Sequence, residues 1–262
     1  LWQADPEIWG QHSPILFPVV GALKNDRVRI DGEEYNLHKH GFAAWNEFEL
    51  TEKGDRHIVM TLEDTPETRK IYPFSFILDV TFNLEENGYS VTYDVTNRSE
   101  SPMPFCIGGH PGFICPIDQG LAFEDYRISF PPENNRLIAI CPDGNIVKGE
   151  KEFSHMQNGS FFLDHSYFDQ EDALIFTSPE NKKVSLSSPK GKTAITLDFS
   201  DFNALGIWTR PGFRADYICL EPWAGINQYE DESDNFEDKL FVRTAYPEDT
   251  VSLTYRVSVS ER

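Results

Sequence analysis

Apolar residues recur at every second position in run after run of this chain, and that spacing constrains the fold more than any other feature. Residues 57–62, 76–82, 90–96, 193–199 and 251–257 all alternate in this way, which sends apolar side chains to one face of an extended strand and polar ones to the other. The segment joining the second and third runs ends in Glu86, Asn87 and Gly88; Asn-Gly readily supplies positive φ for a hairpin turn, so these two strands are expected to pair. No window of a dozen residues carries a helical period free of Gly or Pro. The charged segment 229–235 reads as a surface loop, with one short helix expected after it. No repeat, low-complexity tract or linker breaks the chain. The expected fold is all-β, a single domain over 1–262 made of large antiparallel sheets; alternation alone leaves open whether they form a sandwich or a barrel.

Composition bears on what such a fold can do. A hydrophobic share of 39%, with 20 Phe and 10 Tyr against 3 Met, suits a sizeable sheet core. The formal charge of −20 argues against nucleic acid or anionic lipid as a partner, because both require a basic footprint. No segment approaches the roughly 20 apolar residues of a membrane span, and no charged-then-apolar leader is legible, so a secretory signal is not expected. Cys106, Cys115, Cys141 and Cys219 form no C-x-x-C pair, which points to free thiols in a reducing cytoplasm.

Four segments do not read as ordinary strand sequence. In 37–44, His38 and His40 would share a face if the segment were a strand, which suggests a metal pair; the H-x-H-then-Glu pattern of cupins is not completed, since Glu47 comes too late. A pocket histidine at His40 is favoured, with Gly41 letting a ligand approach the backbone. In 106–113, Gly108 and Gly109 precede His110, and Pro111 and Gly112 follow it, as though the backbone bends to present the imidazole. In 217–225, an apolar run ends in Glu221, Pro222 and Trp223. A carboxylate there is costly unless paired, raised in pKa or put to use, and Trp223 offers a flat apolar surface of the kind sugars lie against. In 162–168, Asp164 and His165 sit among aromatics, where a loop aspartate capping its own backbone is the commoner case.

In this order the segments resemble the aldose 1-epimerase (galactose mutarotase) superfamily, specifically its LacX-like branch. The likeness runs nearly end to end, through residues 1–6, 14–21, 40–43, 108–111 and 220–223. It implies a β-sandwich with a sugar cleft on one sheet, Glu221 as catalytic base, His110 as catalytic acid, His40 as a second active-site histidine, and Asp164 as a ligand of sugar hydroxyls. The implied reaction opens and recloses an aldose ring by paired proton transfers, with no metal or organic cofactor and a small sugar as partner. Two departures stand out. Arginines usual in the family after Gly21 and after Ala43 are replaced by Ala22 and Ala44, which disfavours a phosphosugar substrate and leaves a non-catalytic carbohydrate-binding protein as a rival. Oligomeric state is not legible.

Overall fold

The computed structural model describes residues 1–131 and 137–261. All five alternating runs become strands of one nine-stranded sheet, in which Thr193–Asp198, Thr250–Glu261, Gly88–Asn97, Phe76–Glu85 and His57–Glu63 lie side by side in that order. A second sheet of eight strands is centred on Tyr217–Ala224 and Ala204–Trp208. Every strand pair in both sheets is antiparallel.

The sheets pack face to face as a sandwich. Leu78, Val80, Val91, Val95, Leu253 and Val257 of the nine-stranded sheet share one buried core with Leu205, Ile207, Ile218 and Leu220 of the other. Each such side chain removed from water contributes on the order of 1.5–3 kcal/mol. The nine-stranded sheet keeps an outer face partly in solvent, and its strands therefore alternate in burial. Tyr217–Ala224 is instead buried at every residue, because its outer face is covered as well.

Two local expectations change. Glu85 pairs with Gly88, so the hairpin turn consists of Glu86 and Asn87. Neither Asn87 nor Gly88 takes a positive φ. Gly88 is glycine for a different reason: a Cβ there would run into the Val257 carbonyl of the neighbouring strand. Among the described residues the α-helix is His165–Glu171, seven residues too short to show a period in the sequence. The short helix expected after 235 is a single 3-10 turn, Phe236–Asp238.

Candidate active site

Tyr217–Ala224 positions the site. Strand alternation turns Ile218 and Leu220 into the core and sends Tyr217, Cys219, Glu221 and Trp223 to the outer face. On one side Glu221 pairs with Gly206. On the other, the neighbouring chain is broken into Ile107–Gly109 and Gly112–Ile114 by His110 and Pro111. The register is the same across that break, with Gly108 opposite Trp223 and Gly112 opposite Cys219, so His110 stands directly across from Glu221. His110 Nε2 lies 3.2 Å from Glu221 Oε2. The approach is close but off-axis, leaving Glu221 Oε2 and His110 Nδ1 without hydrogen-bond partners.

The glycines before His110 serve close packing rather than a bend. A Cβ on Gly108 would come within 2.9 Å of the Trp223 ring, and one on Gly109 within 2.8 Å of the Tyr93 hydroxyl from the facing sheet. They let Trp223 lie along the strand and let the two sheets close beneath the imidazole.

His40 arrives from a loop, not a strand. It holds φ 67° and is followed by Gly41 at φ 72°, an uncommon conformation for a residue with a Cβ. A Cβ on Gly41 would collide with the Phe17 carbonyl. The loop is pinned to residue 21 in both directions: His40 N–H donates to Gly21 O at 3.0 Å, and Gly21 N–H donates to His40 Nδ1 at 3.2 Å. Because Nδ1 accepts, the neutral ring carries its proton on Nε2. The supposed histidine pair is thereby undone: His38 faces outward against Asp26, 3.2 Å away, while His40 packs at ring distances of 6.0 Å from Trp223 and 6.3 Å from His110.

These groups line a cavity of about 210 Å³ together with Trp9, Trp208, Lys39, Asp172 and Asn227. Trp9, contributed by the irregular N-terminal segment, packs 4.9 Å from the His110 ring, and Trp208 stands edge-on to it at 5.5 Å. This aromatic cover sets the electrostatics. Burial pushes the Glu221 carboxyl well above its ordinary range, an effect that Lys39 and the Trp223 indole partly offset and Asp172 adds to. Burial pulls His110 down to about 3, and it pulls His40 well below the usual imidazole value; Lys39 reinforces both shifts. Both shifts favour the neutral forms of the pair. Desolvation disfavours the separated charges, and a neutral acid beside a neutral imidazole avoids them. A roomier, mostly apolar hollow of about 400 Å³ is bordered by Phe82, Leu84 and Tyr89 of the nine-stranded sheet.

Of the residues singled out in the sequence, His40, His110, Glu221 and Trp223 meet in this cavity, and Asp164 does not. Asp164 is exposed and caps the helix His165–Glu171, accepting a 2.8 Å hydrogen bond from Ser166 N–H; an aspartate one residue before a helix satisfies an otherwise orphaned N–H. The cavity's aspartate is Asp172, at the other end of that helix in a left-handed conformation of φ 62°. Its carboxylate and the Lys39 ammonium both press on Gly144, where a Cβ would meet each of them. Lys39 lies inside the 37–44 segment and could have been suspected from it; Trp9 and Asp172 carry no signal in their own neighbourhoods. Neither Ala22, which is buried, nor Ala44 lines the cavity, and Trp45 is 77% exposed rather than filling it.

The family model described as Aldose 1-epimerase matches residues 1–239. The plasmid-encoded protein LacX of Lactococcus lactis subsp. lactis is 32% identical over 99% of this chain and 89% of its own length. A galactose mutarotase related enzyme from Lactobacillus acidophilus superimposes with a TM-score of 0.91 at 34% identity, covering 98% of this chain and 86% of that one. A galactose mutarotase-like protein from Lactobacillus casei gives 0.90 at 31% identity, covering 98% and 88%.

Proposed function

Since this chain belongs to the aldose 1-epimerase family, we propose that it interconverts the α and β anomers of a free aldohexose, with Glu221 as base and His110 as acid. The observation that carries this reading is the placement of His110 directly opposite Glu221, 3.2 Å apart at the edge of a cavity. A neutral carboxyl beside a neutral imidazole and the working form, carboxylate beside imidazolium, carry the same number of protons. A sugar supplies hydroxyl donors for the carboxylate and a ring oxygen for the imidazolium, which favours the charge-separated form that burial alone disfavours.

The carboxylate removes the proton from the anomeric hydroxyl while the imidazolium protonates the ring oxygen. The bond between C1 and that oxygen breaks, and C1 becomes an aldehyde carbonyl. Rotation about C1–C2 presents the other face of the carbonyl, and the reverse transfers close the ring and return both protons. Each positioned proton transfer contributes typically about 10²–10⁴-fold. His40, neutral with its proton on Nε2, serves as a hydrogen-bond donor to the sugar. Trp223 and Trp9 offer apolar faces, and Asp172 with Lys39 suits the hydroxyls away from the reacting carbon. We place the protein in the reducing cytoplasm, a setting that suits its four unpaired, buried cysteines.

Polarimetry on freshly dissolved α-D-glucose and α-D-galactose, followed by anomer-resolved NMR exchange across free aldoses, tests the proposal. Accelerated approach to anomeric equilibrium is expected. Sugar binding without any acceleration would instead identify a carbohydrate-binding protein.

A further inference from the structure

One set of metal-ligating side chains converges among the described residues: a ring nitrogen of His110, the thiol of Cys219 and a carboxylate oxygen of Glu221 lie within 4.8 Å of one another. Cys219 and Glu221 are two apart on Tyr217–Ala224 and share its outer face. Each has a glycine on one side, Gly112 opposite Cys219 and Gly206 opposite Glu221, and a larger neighbour on the other, Trp208 opposite Cys219 and His110 opposite Glu221. Glu221 Oε2 and His110 Nδ1 are buried without hydrogen-bond partners, and buried polar atoms seldom stay unsatisfied without a reason. The anomer exchange proposed above has no use for a thiol here.

We propose that His110, Cys219 and Glu221 form a three-ligand site for a borderline-soft divalent cation of the Zn²⁺ type, and that occupancy switches the acid–base pair off. Thiolate, imidazole and carboxylate together suit Zn²⁺, whereas Mg²⁺ and Ca²⁺ require shells of oxygen. Zinc–ligand bonds of about 2.0–2.3 Å set neighbouring ligand atoms roughly 3.3–3.8 Å apart. His110 and Glu221 are already 3.2 Å apart, so side-chain adjustments of about 1 Å complete the triangle, and a water in the cavity supplies the fourth position. Binding there requires the thiol and the carboxyl to give up their protons and the imidazole to be neutral. The net charge of −20 favours the approach of a cation, and Asp172 offsets Lys39 at the rim. The bound ion takes the electron pairs that the carboxylate and the imidazole need for proton transfer.

The inhibition rests on the function proposed above; the binding does not, and a cobalt titration of the full chain separates the two. Co²⁺ at one equivalent is expected to give thiolate-to-cobalt charge-transfer absorption that Zn²⁺ displaces. Cys219→Ser and Cys219→Ala should both lose that absorption and bind Co²⁺ at least about tenfold more weakly, with unchanged circular dichroism. Zn²⁺ should inhibit anomer exchange by the parent protein, reversibly with chelator, and inhibit the Cys219 variants only at concentrations at least about tenfold higher. Absence of the charge-transfer band, or equal cobalt affinity in parent and folded Cys219 variants, overturns the site. A cobalt band in a protein that exchanges no anomers would leave the site standing and refute the catalytic reading instead.

Discussion

Glu221 Oε2 lies 3.2 Å from His110 Nε2 because the two residues face each other across adjacent strands whose register is unbroken between Gly108 and Gly112. A pair fixed by backbone pairing needs little further ordering before it acts. We expect Glu221→Gln and His110→Asn each to lower kcat by at least about 10²-fold while the protein stays folded. The double mutant should be little worse than either single one, as for residues acting as a unit. NMR exchange rates measured beside melting temperatures check both statements, and near-normal turnover in either single mutant removes the assignment.

The two aspartates at the ends of the short helix should separate by function. Asp164 accepts from Ser166 N–H as a helix cap, so Asp164→Ala should cost about 1 kcal/mol of stability and leave turnover unchanged. Asp172 lines the cavity, so Asp172→Asn should raise KM several-fold with a smaller effect on melting. Denaturant titration and steady-state kinetics on both variants test the contrast; a kinetic defect in Asp164→Ala with none in Asp172→Asn reverses it.

Legibility followed burial. The nine-stranded sheet wets its outer face, so its strands alternate and could be read as strands from the sequence alone. Tyr217–Ala224 is buried on both faces, where alternation vanishes and an apolar run fits a strand and a buried helix equally well. Its role was legible only because Glu221 interrupts that run. His110 stood out through its flanking glycines, although these serve close packing against Trp223 and Tyr93 rather than a bend. Trp9 and Asp172 could not be found this way: they reach the cavity through the path of the N-terminal segment and the exit of a seven-residue helix, which are tertiary facts. Asp164 lies outside the cavity lining and caps a helix; a helix cap and a sugar ligand use the same residue type, so the sequence alone does not separate them.

Gly109 gives a direct test of how tightly the sheets close beneath His110. A Cβ there would sit 2.8 Å from the Tyr93 hydroxyl and 2.9 Å from the Tyr255 ring, both buried side chains of the facing sheet. Gly109→Ala should therefore destabilise the protein by about 1–3 kcal/mol through overpacking. Chemical denaturation measures this, and an unchanged midpoint would mean that the tyrosines move aside freely.

Substrate charge should be neutral. Among the described residues no arginine lines the cavity, and its lysine, Lys39, is set beside Asp172, so a phosphate would meet a nearly balanced pair within a protein of net charge −20. Free hexoses should show higher kcat/KM than their 6-phosphates. If the 6-phosphates are preferred, Lys39 is serving as a phosphate ligand, and Lys39→Met should abolish that preference.

The opposite shifts of Glu221 and His110 set the pH profile expected for the exchange. An isolated carboxyl and imidazole would be correctly charged, one negative and one positive, only between roughly pH 4.3 and 6.5. Here burial raises Glu221 well above its ordinary value and lowers His110 to about 3, so the order of the two titrations is inverted. Below about 3 the pair gains a second proton, the carboxyl stays neutral, and no base is available. Above the raised Glu221 value the pair loses its only proton, and no acid remains. Between these limits the neutral and charge-separated forms carry equal numbers of protons, so their ratio, and with it the rate, does not vary with pH. The profile of kcat/KM should thus be a broad plateau, with an acidic limb far below the imidazole range and an alkaline limb above the carboxylate range. Lys39→Met removes a positive charge that lowers both groups, so both limbs should move to higher pH in that variant. Rates measured from pH 3 to 9 on the parent and on Lys39→Met test this; a parent profile confined between limbs near roughly 4.3 and 6.5, where the solvated groups titrate, would show that burial does not set the titration of the sugar-free pair.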